Sequence, residues 1–208
     1  MTSATPAVPN LNAVEVHGHT RSSFILRSAF AVGTVYSAGA IGPYVKHALA
    51  QSEAGDIDVL NFALTLELLE TAFYKRALGL QLSGAVAEMA ETFGTQEAEH
   101  VSAIRETIAG LGGKPEKAPK FSFPLRNEAS FLALAQTLEE TGVSAYNGAA
   151  PQIQSPEVLA AAGQIAQIEA RHAAAIRTAR GQAPAPRAFD KALGMEQVLQ
   201  AAKPFIKA

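Results

Sequence analysis

The stretches FGTQEAEHVSAIR (93–105) and IAQIEARHAAAIR (165–177) agree at 6 of 13 positions when one is slid 72 places onto the other, and both contain Glu-x-x-His. The same slide lays LNFALTLELLETAFY (60–74) on LALAQTLEETGVSAY (132–146), with 6 of 15 positions in agreement. Glu67 then falls on Glu139, Tyr74 on Tyr146, Glu97 on Glu169, His100 on His172, Ile104 on Ile176 and Arg105 on Arg177. One offset shared by two separate segments is the mark of a duplicated unit. Each copy reads as a helical hairpin that supplies one lone glutamate and one Glu-x-x-His.

The remainder of the chain from Asp56 supports four helices. Ile57, Leu60, Ala63, Leu64, Glu67, Glu70, Phe73 and Tyr74 advance by three or four, which predicts a helix capped by Asp56 or Asp58 and running to about Ala77. Ser83 is expected to cap a second helix to about Ala109, closed by Gly110, Gly112 and Gly113. A third is expected to begin near Asn127 or Glu128 and to stop before Pro151. Ser155-Pro156-Glu157 starts the fourth with a cap, a first-turn proline and an acid at the positive dipole end, and Gly181 stops it. Short links within each half make antiparallel hairpins, and GLGGKPEKAPKFSFPLR (110–126) between the halves is long enough to cross the bundle. The predicted fold is therefore all-α: a four-helix bundle of two antiparallel hairpins joined by a long crossover. The bundle is assigned to residues 51–182, and 183–208 is read as a strap with one short helix.

A three-residue step turns a helix by about 300 degrees, so Glu97 and His100 share a face and can reach one ion, as can Glu169 and His172. The seven-residue steps from Glu67 to Tyr74 and from Glu139 to Tyr146 put each pair nearly on one line, within reach of a hydrogen-bonded arrangement around the inner carboxylates. If these faces all point inward, four carboxylates and two imidazoles meet at the centre. Four unpaired buried carboxylates would cost several kcal/mol each or hold protons, whereas two divalent cations neutralise them. His17, His19 and His47 fall in the first 50 residues, so the only two histidines beyond them are the two in Glu-x-x-His. Glu70, Glu99 and Glu140 have Gly142, Arg171 and Leu68 at the 72-residue offset and are read as surface or supporting charges, and Arg105 and Arg177 as rim charges.

Composition narrows the chemistry. The absence of cysteine excludes thiolate ligands, disulfides and cysteine nucleophiles, so any metal must be held by oxygen and imidazole. That donor set suits iron or manganese. A net charge of -2 with no basic cluster argues against nucleic acid as a partner.

Residues 1–50 read as an export leader: a polar start, an Arg-containing segment, a mild apolar run and Ala48-Leu49-Ala50 as a small-x-small cleavage site. Thr20-Arg21-x-x-Phe24-Ile25 resembles a twin-arginine signal in which Ser22 replaces the second arginine. The expected address is periplasmic, cell-envelope or extracellular. A membrane would be a partner only through an uncleaved leader, and from Ala29 to Val45 the uncharged run is short for a span of ~20 residues.

At LNFALTLELLETAFY, LEETGVSAYNGAA and IEARHAAAIR the chain resembles the ferritin-like superfamily of di-iron carboxylate proteins, and within it bacterial ferritin-like proteins related to desiccation-associated proteins. The resemblance covers about 56–180. It implies a metal site in which Glu67 and Glu139 are terminal ligands, Glu97 and Glu169 bridge, and His100 and His172 serve one ion each. It implies two iron ions, or manganese, as cofactors. Tyr74 and Tyr146, which their spacing sets beside the carboxylates, are read either as packing residues or as supporting groups with a role in catalysis. Metal ions and small oxidants are the implied partners, and a homo-oligomer is compatible with it. The superfamily spans oxidation of iron and reaction with dioxygen or peroxide. The alternative is a structural or stress-protective protein whose metal site is structural or vestigial.

Overall fold

The structure is a computed structural model and describes residues 55–207. The expected leader, 1–50, lies outside the described residues. Helices α1 (Asp56–Ala77), α2 (Gly84–Gly110), α3 (Glu128–Ala149) and α4 (Pro156–Ala179) form the bundle, and a short α5 (Met195–Ala202) follows. α1 packs mainly on α2 and α3 mainly on α4, so each half is a hairpin. Among the described residues no helix is long and apolar enough to cross a membrane.

Helix ends explain why the hairpins stop where they do. Asn127 caps α3 reciprocally: its Oδ1 accepts from the Ser130 N–H at 3.0 Å, while Ser130 Oγ accepts from the Asn127 N–H at 3.0 Å. Ser155 Oγ accepts from the Val158 N–H at 3.2 Å, with Pro156 as the first residue of α4. α2 and α4 end alike. Gly112 (φ 79°) and Gly181 (φ 69°) take the left-handed conformation that a side chain disfavours, and the residues that follow turn their N–H groups back on the helix. Gly113 thus donates to Ile108 O at 2.8 Å and Gln182 to Arg177 O at 2.8 Å.

Two caps differ from expectation. Gly55, not an aspartate, precedes α1, and no side chain caps that end. Asp56 instead accepts from the backbone N–H of Gln154 at 2.7 Å and of Ser155 at 2.9 Å, fastening the start of α1 to the link between α3 and α4. Ser83 does precede α2, but its side chain makes no cap bond, and its N–H donates to Glu128 Oε2 at 2.5 Å across the two hairpins. Both acidic groups spend their acceptors on the other half of the bundle.

The core is two apolar layers. One gathers Leu66, Leu69, Phe73, Tyr74, Phe131, Leu138 and Ile176, and the other gathers Leu60, Leu64, Val101, Ile104, Ile108 and Tyr146. Burying each large side chain contributes about 1.5–3 kcal/mol. In α1, α2 and α4 the layers draw on opposite ends of the helix, while α3 gives most of its buried side chains to the first layer, so the glutamates and histidines toward the middle of the helices lie between them.

The C-terminal strap is built as read, with one addition. The crossover contributes β1 (Lys120–Phe121) and the end of the strap β2 (Ile206–Lys207), which pair antiparallel with Lys120 opposite Lys207. This small ribbon has no signal in the sequence, since two-residue strands leave no alternating pattern. Arg177 donates to Pro184 O at 3.0 Å and pairs with Glu140 at 2.9 Å, and Leu193 N–H donates to Ser144 O at 2.9 Å. Gly148 lets the strap close in, because an added Cβ would sit 1.9 Å from Leu193 O.

Candidate metal centre

Glu67, Glu97, Glu139 and Glu169 are all 0% exposed and His172 is 2% exposed, while the His100 side chain keeps 12%. The structure brings all six together. They fall into two overlapping groups whose ligand atoms lie within 4.8 Å of one another: Glu67, Glu97, His100 and Glu169, and Glu97, Glu139, Glu169 and His172. Either group could hold a metal ion, and Glu97 and Glu169 belong to both. The helical three-residue step delivers this, since each Glu-x-x-His turns its pair onto one inward face.

Both imidazoles turn Nδ1 inward. His100 Nδ1 lies 3.1 Å from Glu67 Oε2, 3.0 Å from Glu97 Oε2 and 3.4 Å from Glu169 Oε1. His172 Nδ1 lies 2.9 Å from Glu97 Oε1 and 3.2 Å from Glu139 Oε2. The two rings are held differently. His172 Nε2 lies 2.6 Å from Gln96 Oε1 and the ring stacks on Phe93 at 3.9 Å, so that with Nε2–H given to Gln96 the ring would present Nδ1 to a metal once that nitrogen has lost its proton.

Tyr74 and Tyr146 do meet the carboxylates, but across the halves. Tyr74 O–H donates to Glu139 and Tyr146 O–H to Glu67. Side chains on a helix lean toward its N-terminus, so each ring reaches back from its own apolar layer to the glutamate of the facing helix. Arg105 is exposed and Arg177 serves the strap, so neither belongs to the cluster.

Glu99 is exposed and Glu140 is occupied by Arg177, as a surface reading requires. Glu70 is the one of the three for which the supporting alternative holds and the surface one does not. It is 3% exposed, and its Oε2 has no hydrogen-bond partner. Its spacing from Glu67 is the same three-residue step that groups Glu97 with His100, which was the available signal. Its counterpart Gly142 supplies the room, because a Cβ there would lie 3.3 Å from Glu70 Oε1 and 2.7 Å from Glu169 Oε2. Gln96 and Phe93 carried no sequence signal, having no counterpart in the second copy.

Charge sets what the cluster demands. Burial, reinforced by the Glu97 charge, raises the Glu67 carboxyl to about 8 against the pull of His100. Burial and the neighbouring carboxylates raise Glu169 and Glu70 well above the usual range, and burial raises Glu139. Glu97 goes the other way: burial would raise it, but the close approach of the two imidazoles, His100 Nδ1 to Oε2 and His172 Nδ1 to Oε1, outweighs that and brings it down to about 2. The histidines, opposed by burial, are raised by their carboxylate partners to about 12 for His100 and about 9 for His172. Without cations, protons neutralise this cluster. Glu97 Oε1 and both oxygens of Glu169 nonetheless receive no aligned hydrogen bond. Orphaned buried oxygens on the two shared carboxylates, with imidazole Nδ1 beside them, fit divalent metal.

No curated protein matches the chain. Among solved structures, the crystal structure of a conserved hypothetical protein from Mycobacterium tuberculosis is similar, with a TM-score of 0.57 and 18% identity over 64% of this chain and 96% of that one. That likeness concerns the fold. The family model described as a ferritin-like domain matches residues 55–182, which take in all four bundle helices and every residue of the buried cluster, and the chain accordingly belongs to the ferritin-like domain family.

Proposed function

We propose that this protein holds a dinuclear iron or manganese centre and uses it to oxidise ferrous iron or another small reductant with dioxygen or peroxide. The carrying observation is that the two four-residue groups share Glu97 and Glu169, so that two ions held by these groups would have both carboxylates in common. Glu67 and His100 would complete one ion's protein ligands, and Glu139 and His172 the other's. When bound, such a pair supplies the electrons that reduce the oxidant. The chain's own residues do the rest. Tyr74 and Tyr146 orient the terminal carboxylates by donating to them, Gln96 holds the His172 tautomer, and the two apolar layers keep bulk water from the centre.

An apolar cavity of about 50 Å³ supports a small uncharged oxidant. It is lined by Leu60, Ala63, Ile104, Tyr146 and Val158 among others, and so reaches the ring whose hydroxyl bonds Glu67. Dioxygen suits such a space because it needs no hydrogen bonds there. Purified protein is expected to contain about two metal ions per chain by elemental analysis, and to consume dioxygen or peroxide with ferrous iron as reductant. A fully loaded protein inert to both oxidants would leave the structural, stress-protective role in place of the redox one.

Export is the second part of the proposal and rests on the sequence of residues 1–50 alone. N-terminal sequencing of the native protein is expected to find Gln51 first, leaving 158 residues outside the cytoplasmic membrane. A start at Met1 or Thr2 in a cytoplasmic fraction would remove it.

A further inference from the structure

Glu70 is a buried carboxylate that the six-ligand centre does not use. It stands one turn beyond Glu67 on α1, is 3% exposed, and leaves Oε2 without a partner. On one side it adjoins Glu169: the point where a Gly142 Cβ would lie is 3.3 Å from Glu70 Oε1 and 2.7 Å from Glu169 Oε2. On the other side it lines a small cavity of about 20 Å³ with Thr141, Gly142, Ala201, Ala202 and Phe205. That is room for about one water and far too little for a hydrated divalent ion. The lid of this cavity is α5 and the turn after it, a short helix that is lightly anchored. Val198 and Ala202 are the only residues α5 buries, and the two-residue β1–β2 ribbon secures its end.

We propose that Glu70 is the receiving carboxylate of a side entrance for metal ions, between α1 and α3 and beneath the C-terminal segment. An arriving cation would exchange hydration water for Glu70 oxygen and then pass to Glu169, whose two oxygens receive no aligned hydrogen bond. The missing side chain at Gly142 keeps that step open. The duplicated pattern is broken here alone among the inward-facing acids, so the centre has an entrance on the α1 side and none at the equivalent place on α3. A cavity this small passes an ion only when the C-terminal segment lifts, which makes loading depend on both the carboxylate and the freedom of the strap.

This inference rests on the metal-centre reading, and the test separates the two. Metal-free protein is mixed with manganese(II) chloride, uptake is followed by the loss of the free-ion electron paramagnetic resonance signal, and final content is measured by elemental analysis. Glu70→Gln, which keeps size and removes the charge, is expected to load at least tenfold more slowly and to reach the wild-type content. Loading at the wild-type rate overturns the entrance, and a lowered final content overturns it in favour of Glu70 as a resident ligand. A second variant acts on the lid without touching the centre. Lys120 and Lys207 are exposed register partners and the chain has no cysteine of its own, so Lys120→Cys with Lys207→Cys places one removable disulfide across the ribbon. The oxidised latch is expected to slow loading at least tenfold and a reductant to restore it. Equal rates with and without reductant would sink the path beneath the strap. A wild type that takes up neither manganese nor iron defeats the metal centre itself, and the entrance with it.

Discussion

Glu97→Ala is expected to lose both metal ions, and His100→Ala and His172→Ala each to retain well under half of the wild-type content. The reason is topological. Glu97 stands in both four-residue groups, and each histidine packs against carboxylates from both hairpins: His100 against Glu67, Glu97 and Glu169, and His172 against Glu97 and Glu139. Two independent sites would each keep their ion when the other lost an imidazole. In a shared centre the loss of one imidazole also frees the carboxylates that join the ions, so damage spreads. Elemental analysis of the wild type beside the three variants decides it. Clean retention of one metal in each histidine variant would refute the shared centre and leave two separate sites on the same fold.

Stability should follow content. An ion that binds only the folded chain adds about 4 kcal/mol at a thousand times its dissociation constant. Two such ions raise the melting temperature by more than about 10 °C for a domain of this size. Glu97→Ala is expected to lose that increment and to be weaker than the metal-free wild type as well. Its carboxylate is the one held ionised, at about 2, between two imidazoliums, and removing it leaves His100 and His172 short of a counter-charge. Breaking a buried pair from one side costs on the order of 3–5 kcal/mol.

The depth to which this site is legible in the sequence differs from residue to residue. Glu67, Glu97, His100 and their counterparts announce themselves because duplication repeats them at one offset and helical geometry then fixes their common face. Hairpins and crossover follow from Gly112, Ser155 and Gly181, whose roles are local: a left-handed residue or a cap acts on its own turn of chain. Glu70 escapes the same logic because its counterpart is Gly142, and the repeat that reveals the ligands hides what fills the space where the repeat fails. The tyrosines show the limit of spacing arguments in another way. A seven-residue step places Tyr74 and Glu67 on one line of α1, yet Tyr74 serves Glu139, and only packing decides which partner it meets. Asp56 is the same case at the bundle's end, read as a cap for its own helix and used instead to hold the opposite link.

The metal-free protein is expected to lose stability as pH rises from 5 to 8, opposite to the loaded protein. Glu67 is raised from 4.5 to about 8, so between those values the folded chain keeps a proton that the unfolded chain has released. The folded state then binds more protons, and its stability falls with rising pH by about 1.4 kcal/mol per unit for each proton so retained. Glu169, Glu70 and Glu139 act in the same direction. The histidines extend the effect upward, since stabilisation by a raised imidazole is complete below 6.5 and is lost as pH passes about 9 for His172 and about 12 for His100. Glu97 opposes it only at the acid end, where its contribution disappears as pH falls from 4.5 through about 2. Metal reverses the sign. Ions must displace these protons to bind, so affinity rises with pH and the gap between loaded and metal-free melting temperatures widens from pH 5 to pH 8. Melting both forms across that range is the measurement. A metal-free protein that grows more stable toward pH 8 would mean the central carboxyls are already ionised without metal, and the proton-for-metal exchange would have to be abandoned.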